Sequence, residues 1–179
     1  VESIPGKGTF ICTPVLNYIL NRSENTVFQA KVSIAQIMEV RTAVELLAAE
    51  LAIERATEAD IARVAEAMEE LRSAVLSQTP WATQGANFHI RIAESARNPL
   101  VVKLVESYSD TVGRYRDAMV DSNTQTDMNH HIHEHEAILE ALRQRDKKAM
   151  HAAVRTHMKN TEKNLERLVD ENNAIVFIG

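Results

Sequence analysis

With 179 residues, of which 45% are hydrophobic and 25% charged, the chain has the composition of one globular domain with an apolar core. Its formal net charge of −5 argues against nucleic-acid binding by this chain alone, because the DNA backbone is also negative. Cys12 is the single cysteine, which excludes a disulfide framework. No apolar run approaches the roughly 20 residues that span a bilayer, so we expect a cytoplasmic protein.

The first twelve residues have the pattern of a β-hairpin. Pro5-Gly6-Lys7-Gly8 is a turn sequence between two short β-prone segments. Because the first segment has nothing before it to pair with, and because the chain has no initiator Met, we interpret residues 1–12 as the remnant of an upstream domain. Residues 13–32 are then a connector, residues 33–172 a helical domain, and residues 173–179 an apolar tail.

Helix-start signals divide residues 33–172 into six long helices. With only 5 Gly and 4 Pro for turns, the composition also favours few, long helices over many strands. The start signals are, in chain order, Ser33 with Gln36, Thr57 with Asp60, Thr79 with Pro80, Pro99, about Asp127, and Asp146. Apolar residues recur at helical spacing after each signal, which predicts an all-α bundle.

Three histidines are predicted to face the interior of this bundle. Seven histidines occur in the sequence, and His89, His135 and His157 fall on the inward faces of three different helices. Each buried imidazole needs partners for both ring nitrogens, and a divalent metal such as Zn²⁺ satisfies one nitrogen of all three at once. We therefore predict a metal site, with three separately hydrogen-bonded core histidines as the alternative.

Other histidines surround His135 in the segment from residue 130 to residue 135. His131 is four residues before His135, so these two lie on one helix face and can chelate as a pair. His130 and His133 point elsewhere, and we expect them to be solvated or to support the ligands. The sequence has no His-Glu-x-x-His, Gly-x-Ser-x-Gly, P-loop or dinucleotide fingerprint.

Arg41 and Glu45 lie on the buried side of the first long helix, or at its margin. They are four residues apart, so the simplest interpretation is an ion pair at the edge of the core. A guanidinium is costly to bury without an anion, however, and its planar two-pronged donor suits a carboxylate. An anion site at Arg41 and Glu45 is the alternative interpretation, and it would place Arg41 across a pocket from the predicted metal.

The chain resembles the GntR-type bacterial transcription regulators, and in particular the ligand-binding C-terminal domain of their FadR subfamily. The resemblance covers nearly the whole chain. The segment from Ser3 to Ile11 resembles the end of the wing of a winged helix-turn-helix. The segments that resemble the C-terminal domain are Glu39-Val40-Arg41 with Val44-Glu45, Phe88-His89 leading to Asn98, Glu134-His135 leading to Ile138-Leu139, and His157.

This resemblance implies an antiparallel bundle of six or seven helices that dimerises. It also implies, as in many members, a metal held by one Asp and three His, and the histidines carry over as His89, His135 and His157. The place of the aspartate is Gly85 here. The metal then has either three protein ligands with more positions open to water or effector, or it has been lost. Arg145 also stands where the family favours glycine.

The function that the resemblance implies is the effector-sensing and dimerisation domain of a transcription regulator, not an enzyme. Operator DNA would be contacted only through a missing N-terminal domain. Small carboxylates such as lactate, pyruvate or sugar acids are the implied effectors. Zn²⁺ is the expected metal, with Ni²⁺ or Mn²⁺ as alternatives.

Two other functions compete with this interpretation. One is a metal-dependent hydrolase or lyase that uses a three-histidine metal to activate water. It lacks a general base beside His89, because Glu94 falls on the wrong face of that helix. The other is a metal-free helical dimerisation module, in which the histidines have only structural roles.

Overall fold

The structure is a computed structural model that describes the backbone of residues 2–4, 8–10, 34–117 and 125–171. Its residues divide into two units, one with the strands and one with the helices. In the first unit, β1 (Glu2–Ile4) and β2 (Gly8–Phe10) pair antiparallel. That this pair is the remnant of a wing stays a prediction. The predicted connector, 13–32, and tail, 173–179, lie outside the described residues.

Six helices form the second unit within residues 34–171, apart from the undescribed stretch 118–124, and they confirm the predicted all-α class. They are α1 (Ile34–Arg55), α2 (Glu58–Leu76), α3 (Ala82–Ser95), α4 (Pro99–Asp117), α5 (Gln125–Arg143) and α6 (Lys147–Glu171). None of these described helices is both long and apolar enough to cross a membrane.

Three predicted helix starts are confirmed at the level of individual hydrogen bonds or residues. At α2, the hydroxyl of Thr57 accepts the N–H of Asp60 at 3.2 Å, and the Asp60 carboxylate accepts the N–H of Thr57 at 2.8 Å. At α6, the carboxylate of Asp146 accepts the N–H of Ala149 at 2.9 Å. Helix α4 begins at Pro99 itself, where the missing N–H costs nothing.

The predicted start of α3 at Thr79 and Pro80 is wrong. Helix α3 begins two residues later, with Trp81 in the capping position and no side-chain cap. Thr79 instead closes α2, because its hydroxyl and its N–H both donate to the carbonyl of Ala74, at 3.2 and 3.1 Å. Gln78 makes this possible with a left-handed backbone, at a φ of 54°.

The core lies where α1, α2, α3, α5 and α6 meet. Helix α3 contacts α1, α2 and α4, and α6 packs on α1 and α5. The fully buried large side chains of the core include Met38, Met68, Leu71, Phe88, Ile138, Leu142, Met150 and Met158. Burial of side chains of this size stabilises the fold by about 1.5–3 kcal/mol each. The three predicted ligand histidines sit on α3, α5 and α6, inside this apolar packing.

Candidate functional site

His89 on α3, His135 on α5 and His157 on α6 converge inside the helical body. All three side chains are buried, and one ring nitrogen of each lies within 4.8 Å of the other two. The Nε2 atoms of His89 and His157 are 3.2 Å apart. Two nitrogens on one Zn²⁺, each about 2.0–2.1 Å from the ion, are separated by roughly 3.0–3.4 Å. The spacing therefore suits two ligands of a common ion.

Each of the three histidines has an oxygen atom at its other ring nitrogen. The Nδ1 of His89 lies 3.2 Å from the Glu45 carboxylate, and the Nδ1 of His157 lies 2.8 Å from the Glu134 carboxylate. The Nδ1 of His135 lies 2.7 Å from the backbone carbonyl of His131. A carbonyl or an ionised carboxylate only accepts, so Nδ1 carries the proton and Nε2 keeps its lone pair. This is how metal-binding histidines are usually oriented.

The electrostatics of the site favour an ionised Glu45 and a neutral His157. Burial alone would raise the pKa of Glu45, but the charge of His89 and its hydrogen bond, and then Arg41, bring it below its ordinary value. Burial lowers the pKa of His157 well below its ordinary value, and repulsion from His135 and His89 adds to the effect. The His157 ring is therefore neutral, and its lone pair faces His89. A proton or a metal ion between the two nitrogens removes the repulsion of facing lone pairs.

Arg41 and Glu45 form the expected ion pair, and both are buried. The Nε of Arg41 lies 3.7 Å from a Glu45 oxygen, which is longer than a hydrogen bond. Within the described part of the chain, the Nε and Nη1 atoms of Arg41 are buried and have no hydrogen-bond partner. Such an unmet donor costs about 1–3 kcal/mol, and more for a charged group. The ion pair alone does not satisfy this guanidinium.

Tyr108 on α4 lies beside the same charged pair. The guanidinium carbon of Arg41 is 5.4 Å from the centre of the Tyr108 ring, within the range of a cation–π contact. Burial raises the pKa of Tyr108, and the negative charge of Glu45 raises it further. The phenol therefore keeps its proton at physiological pH and remains a hydrogen-bond donor. Arg41, Glu45 and Tyr108 form one cluster that reaches the three buried histidines through the contact of Glu45 with His89.

A cavity of about 250 Å³ opens beside the histidine cluster. Its lining is polar and comes from α5 and α6, namely His130, His131, Glu134, Asn160, Lys163 and Asn164. Its size is enough for a few atoms of a small organic acid and several waters. Arg41 is not among its lining residues, although the sequence led us to expect Arg41 across a pocket from the metal.

The histidines next to His135 on α5 differ in exposure to solvent, as expected. His130 and His133 are exposed, and the Nδ1 of His133 lies 3.0 Å from a Glu136 oxygen. His131 is buried, and its ring centre is 4.2 Å from that of His135. The sequence interpretation assigned no role to Glu134, which holds both His157 and Asn160. The one sequence signal was that Glu134 is adjacent to a predicted ligand, and this does not show which residue of α6 it contacts.

Comparisons with known proteins agree with the helical fold. Residues 36–160 match the FCD domain family. The chain is 28% identical over 176 residues to the HTH-type transcriptional regulator LutR of Bacillus subtilis (strain 168), covering 96% of this chain and 80% of that protein. The fold is similar to E. coli McbR/YncC, with a TM-score of 0.67 at 23% identity, over 80% of this chain and 68% of that one. It is also similar to Streptococcus agalactiae GntR, with a TM-score of 0.62 at 19% identity, over 91% and 74%.

The family match spans more than half of the chain. The chain therefore belongs to the FCD domain family, the C-terminal domain of GntR-type transcription regulators. A domain of this family in such a regulator has an effector-sensing regulatory role. The relatives are transcription regulators, which confirms the expectation that the chain is not an enzyme.

Proposed function

We propose that the helical body senses a small carboxylate through a divalent metal held by His89, His135 and His157. The observation that carries this proposal is the common orientation of the three rings. Each Nδ1 is fixed by an oxygen acceptor, so the three Nε2 atoms are the ones left to bind an ion. Three neutral imidazoles with open positions beside them are a usual donor set for Zn²⁺, and they also suit Ni²⁺. Mn²⁺ is the weaker alternative.

The charges around the histidines support a divalent cation rather than a shared proton. Glu45 and Glu134 contribute two carboxylates directly behind two of the ligands. They offset the charge of a divalent ion in a buried site, where an uncompensated ion would be costly. When bound, such an ion acts as a Lewis acid that accepts a carboxylate oxygen of the effector.

Arg41 is the proposed second contact for the effector, and Glu45 links it to the metal. One carboxylate group of Glu45 serves both the Nδ1 of His89 and the guanidinium of Arg41. An effector carboxylate would satisfy the buried donors of Arg41 that Glu45 leaves unmet. The protonated phenol of Tyr108 adds a donor beside them. A change at Arg41 is in this way transmitted to a metal ligand through a single side chain.

The proposed regulatory response is a rearrangement within a dimer. We propose that the helical body forms a homodimer, and that effector binding alters the relative placement of two DNA-reading domains. In this proposal β1 and β2 are the end of the wing, and operator DNA is contacted through the domain to which the wing belongs. A cytoplasmic location follows for a regulator that acts on DNA.

Metal analysis of protein purified without chelator tests the first half of the proposal. We expect about one bound ion per chain, and none in a variant with all three ligand histidines changed to Ala. His133→Ala is the matched control, because that imidazole is 74% exposed and on the same helix. Absence of metal from the wild-type protein, also after incubation with Zn²⁺ and Ni²⁺, would favour the shared proton and the metal-free module.

Thermal unfolding tests the second half. Small 2-hydroxy and 2-oxo acids should raise the melting temperature as their concentration passes the dissociation constant, because they bind only the native state. The effect should vanish in Arg41→Ala and shrink after chelation. Lys163→Ala is the informative comparison, since Lys163 lines the cavity and Arg41 does not. If Lys163→Ala abolishes the shift and Arg41→Ala keeps it, the carboxylate is bound from the cavity side instead.

A further inference from the structure

His131 is the buried histidine that the three-histidine set does not use. It lies on α5, one helical turn before His135, and its side chain is only 6% exposed. The flanking His130 and His133 are both exposed, so among the histidines of this segment only His131 and His135 are buried. An imidazole is a polar group, and a metal ion is one partner that would offset the cost of burying it.

His131 lies close to two members of the three-histidine set and to Glu134. Its ring centre lies 4.2 Å from that of His135 and 5.2 Å from that of His157. Three possible ligand atoms lie within 4.8 Å of one another, one each from His131, Glu134 and His157. His157 thus belongs to this group and to the three-histidine set. Because the terminal torsion of a histidine is broad, rotation of the ring can direct the Nε2 of His131 to the same ion.

Gly85 explains why a histidine can reach the ion from α5. A Cβ atom built at Gly85 would lie 3.9 Å from the Nε2 of His131 and 3.9 Å from two ring carbons of Trp81. These are ordinary contacts, so the imidazole of His131 stands directly in front of the position where a side chain of residue 85 would begin. The missing side chain of Gly85 leaves that space to His131.

We propose that His131 is the fourth metal ligand of this chain, in the space that an Asp at position 85 would use. The inference rests on the proposed three-histidine metal site and deepens it. The site then has four neutral imidazoles and no carboxylate among its direct ligands. Imidazoles suit Zn²⁺, Ni²⁺ and Cu²⁺, whereas carboxylates suit Mn²⁺. The exchange of a carboxylate for an imidazole also leaves the site one charge more positive, which favours an anionic effector.

A crystal structure of the wild-type protein loaded with Zn²⁺ is the direct test. We expect the Nε2 of His131 to lie about 2.0–2.1 Å from the ion, like those of the other three histidines. An ion bound by His89, His135 and His157 with water in the fourth position would overturn the proposal and leave the proposed function intact. A structure without any ion at these histidines would overturn both.

Variants test the same point in solution. His131→Ala should lower the Zn²⁺ affinity by at least about tenfold. Loss of a residue that only supports a metal ligand already costs about 10–100-fold, so loss of a ligand should cost no less. Adding Gly85→Asp to His131→Ala should restore Zn²⁺ binding and raise the Mn²⁺ affinity relative to the Zn²⁺ affinity, because a carboxylate then replaces the imidazole. His133→Ala is the control and should bind as the wild type does.

The double variant separates ligation from packing. If His131 only packs against Trp81 and His135, its loss should not be rescued by a carboxylate on a different helix, and the metal preference should not change. Either of those results, or an unchanged Zn²⁺ affinity in His131→Ala, would overturn the proposal. Circular dichroism shows whether each variant is folded, and the wild-type crystal structure decides the matter if one is not.

Discussion

The two ring nitrogens of His157 have different partners, and the difference orients the ring. Its Nδ1 is 2.8 Å from the Glu134 carboxylate, and its Nε2 is 3.2 Å from the Nε2 of His89. Glu134 also accepts a hydrogen bond from the side chain of Asn160, one turn further along α6. A carboxylate that is itself held in place restricts the imidazole to one orientation. Glu134 therefore prepares His157 for a ligand on its inner nitrogen.

Replacing Glu134 by Gln tests this role. The amide is similar in size but neutral, so it holds the Nδ1 proton less strongly and lowers the basicity of Nε2. We expect the Zn²⁺ affinity to fall by about 10–100-fold in a competition titration. Glu140→Gln is the matched control, because Glu140 is on the same helix and exposed. Equal affinities for the two variants would show that Glu134 does not support the site.

The inward positions of the three histidines and of Glu45 were predictable from the sequence, and the contact of Glu134 with His157 was not. His89, His135 and His157 each repeat the helical spacing of the apolar residues around them, which defines the inward face of one helix. The contact between Glu134 and His157 depends on how far α6 is shifted along α5. Helical periodicity contains no information about that shift, so the pairing appears only in three dimensions.

At the scale of helices, Asp60 joins the start of α2 to the turn between α3 and α4. It accepts hydrogen bonds from Thr57 and from the guanidinium of Arg97, and also pairs with Arg63. Burial would raise the pKa of Asp60, but the hydrogen bonds of Thr57 and the charges of Arg97 and Arg63 bring it below its ordinary value. Because the folded state lowers this pKa, the ionised carboxylate stabilises the fold.

Asp60→Asn should lower the free energy of unfolding at pH 7 by about 2 kcal/mol, the size of a charge-assisted hydrogen bond. The stabilisation by Asp60 is complete above the unfolded pKa of about 3.9 and disappears as pH falls through the lower folded pKa. The unfolding free energies of the variant and wild type should therefore begin to converge below about pH 4. Urea unfolding at several pH values measures this. Glu69→Gln, on the exposed side of α2, should show neither the loss nor the convergence.

Arg145 shows why a position that favours glycine can hold arginine. Its φ is 52°, the left-handed region, and its N–H and that of Asp146 close the end of α5. Its guanidinium donates to the carbonyls of Ile53 and Ala56 at 3.0 and 2.8 Å, where α1 ends. The side chain therefore compensates for its backbone by satisfying the end of another helix.

Two substitutions of Arg145 separate these effects. Arg145→Gly loses the contacts to α1 but relieves a left-handed backbone that costs about 1–2 kcal/mol. Arg145→Ala loses the contacts and keeps the strain. We expect urea denaturation to give the order wild type, then Gly, then Ala, with steps of about 1 kcal/mol. A Gly variant more stable than the wild type would mean that the two contacts contribute little.

Helix boundaries were predictable where the signal was local. The capping box of Thr57, the carboxylate of Asp146 and the position of Pro99 each act within three or four residues of the start. Thr79 had the same local signal and a different outcome, because its hydroxyl reaches back to the end of α2. A threonine between two helices can cap either one, and its neighbours in sequence do not determine which.

At the scale of the whole molecule, the candidate site combines histidines from α3, α5 and α6. The chain as a whole has a formal net charge of −5. We expect this chain alone to show no sequence-specific DNA binding in fluorescence anisotropy at about 0.15 M salt, because it repels the phosphate backbone. An unrelated duplex is the control for the candidate operator. Tight, salt-resistant and selective binding would contradict our assignment of DNA contact to another domain.

Trp81 gives the site an optical property of its own. It is the only tryptophan in the sequence, it is buried, and its ring centre lies 4.5 Å from that of His131. Indole fluorescence responds to charge and to paramagnetic ions at this range. Occupation of the histidine cluster by paramagnetic Ni²⁺ or Cu²⁺ would therefore quench the emission of the unlabelled protein. Diamagnetic Zn²⁺ would change the emission only through its charge, without paramagnetic quenching. The chain thus contains its own fluorophore for following metal entry and exit in real time.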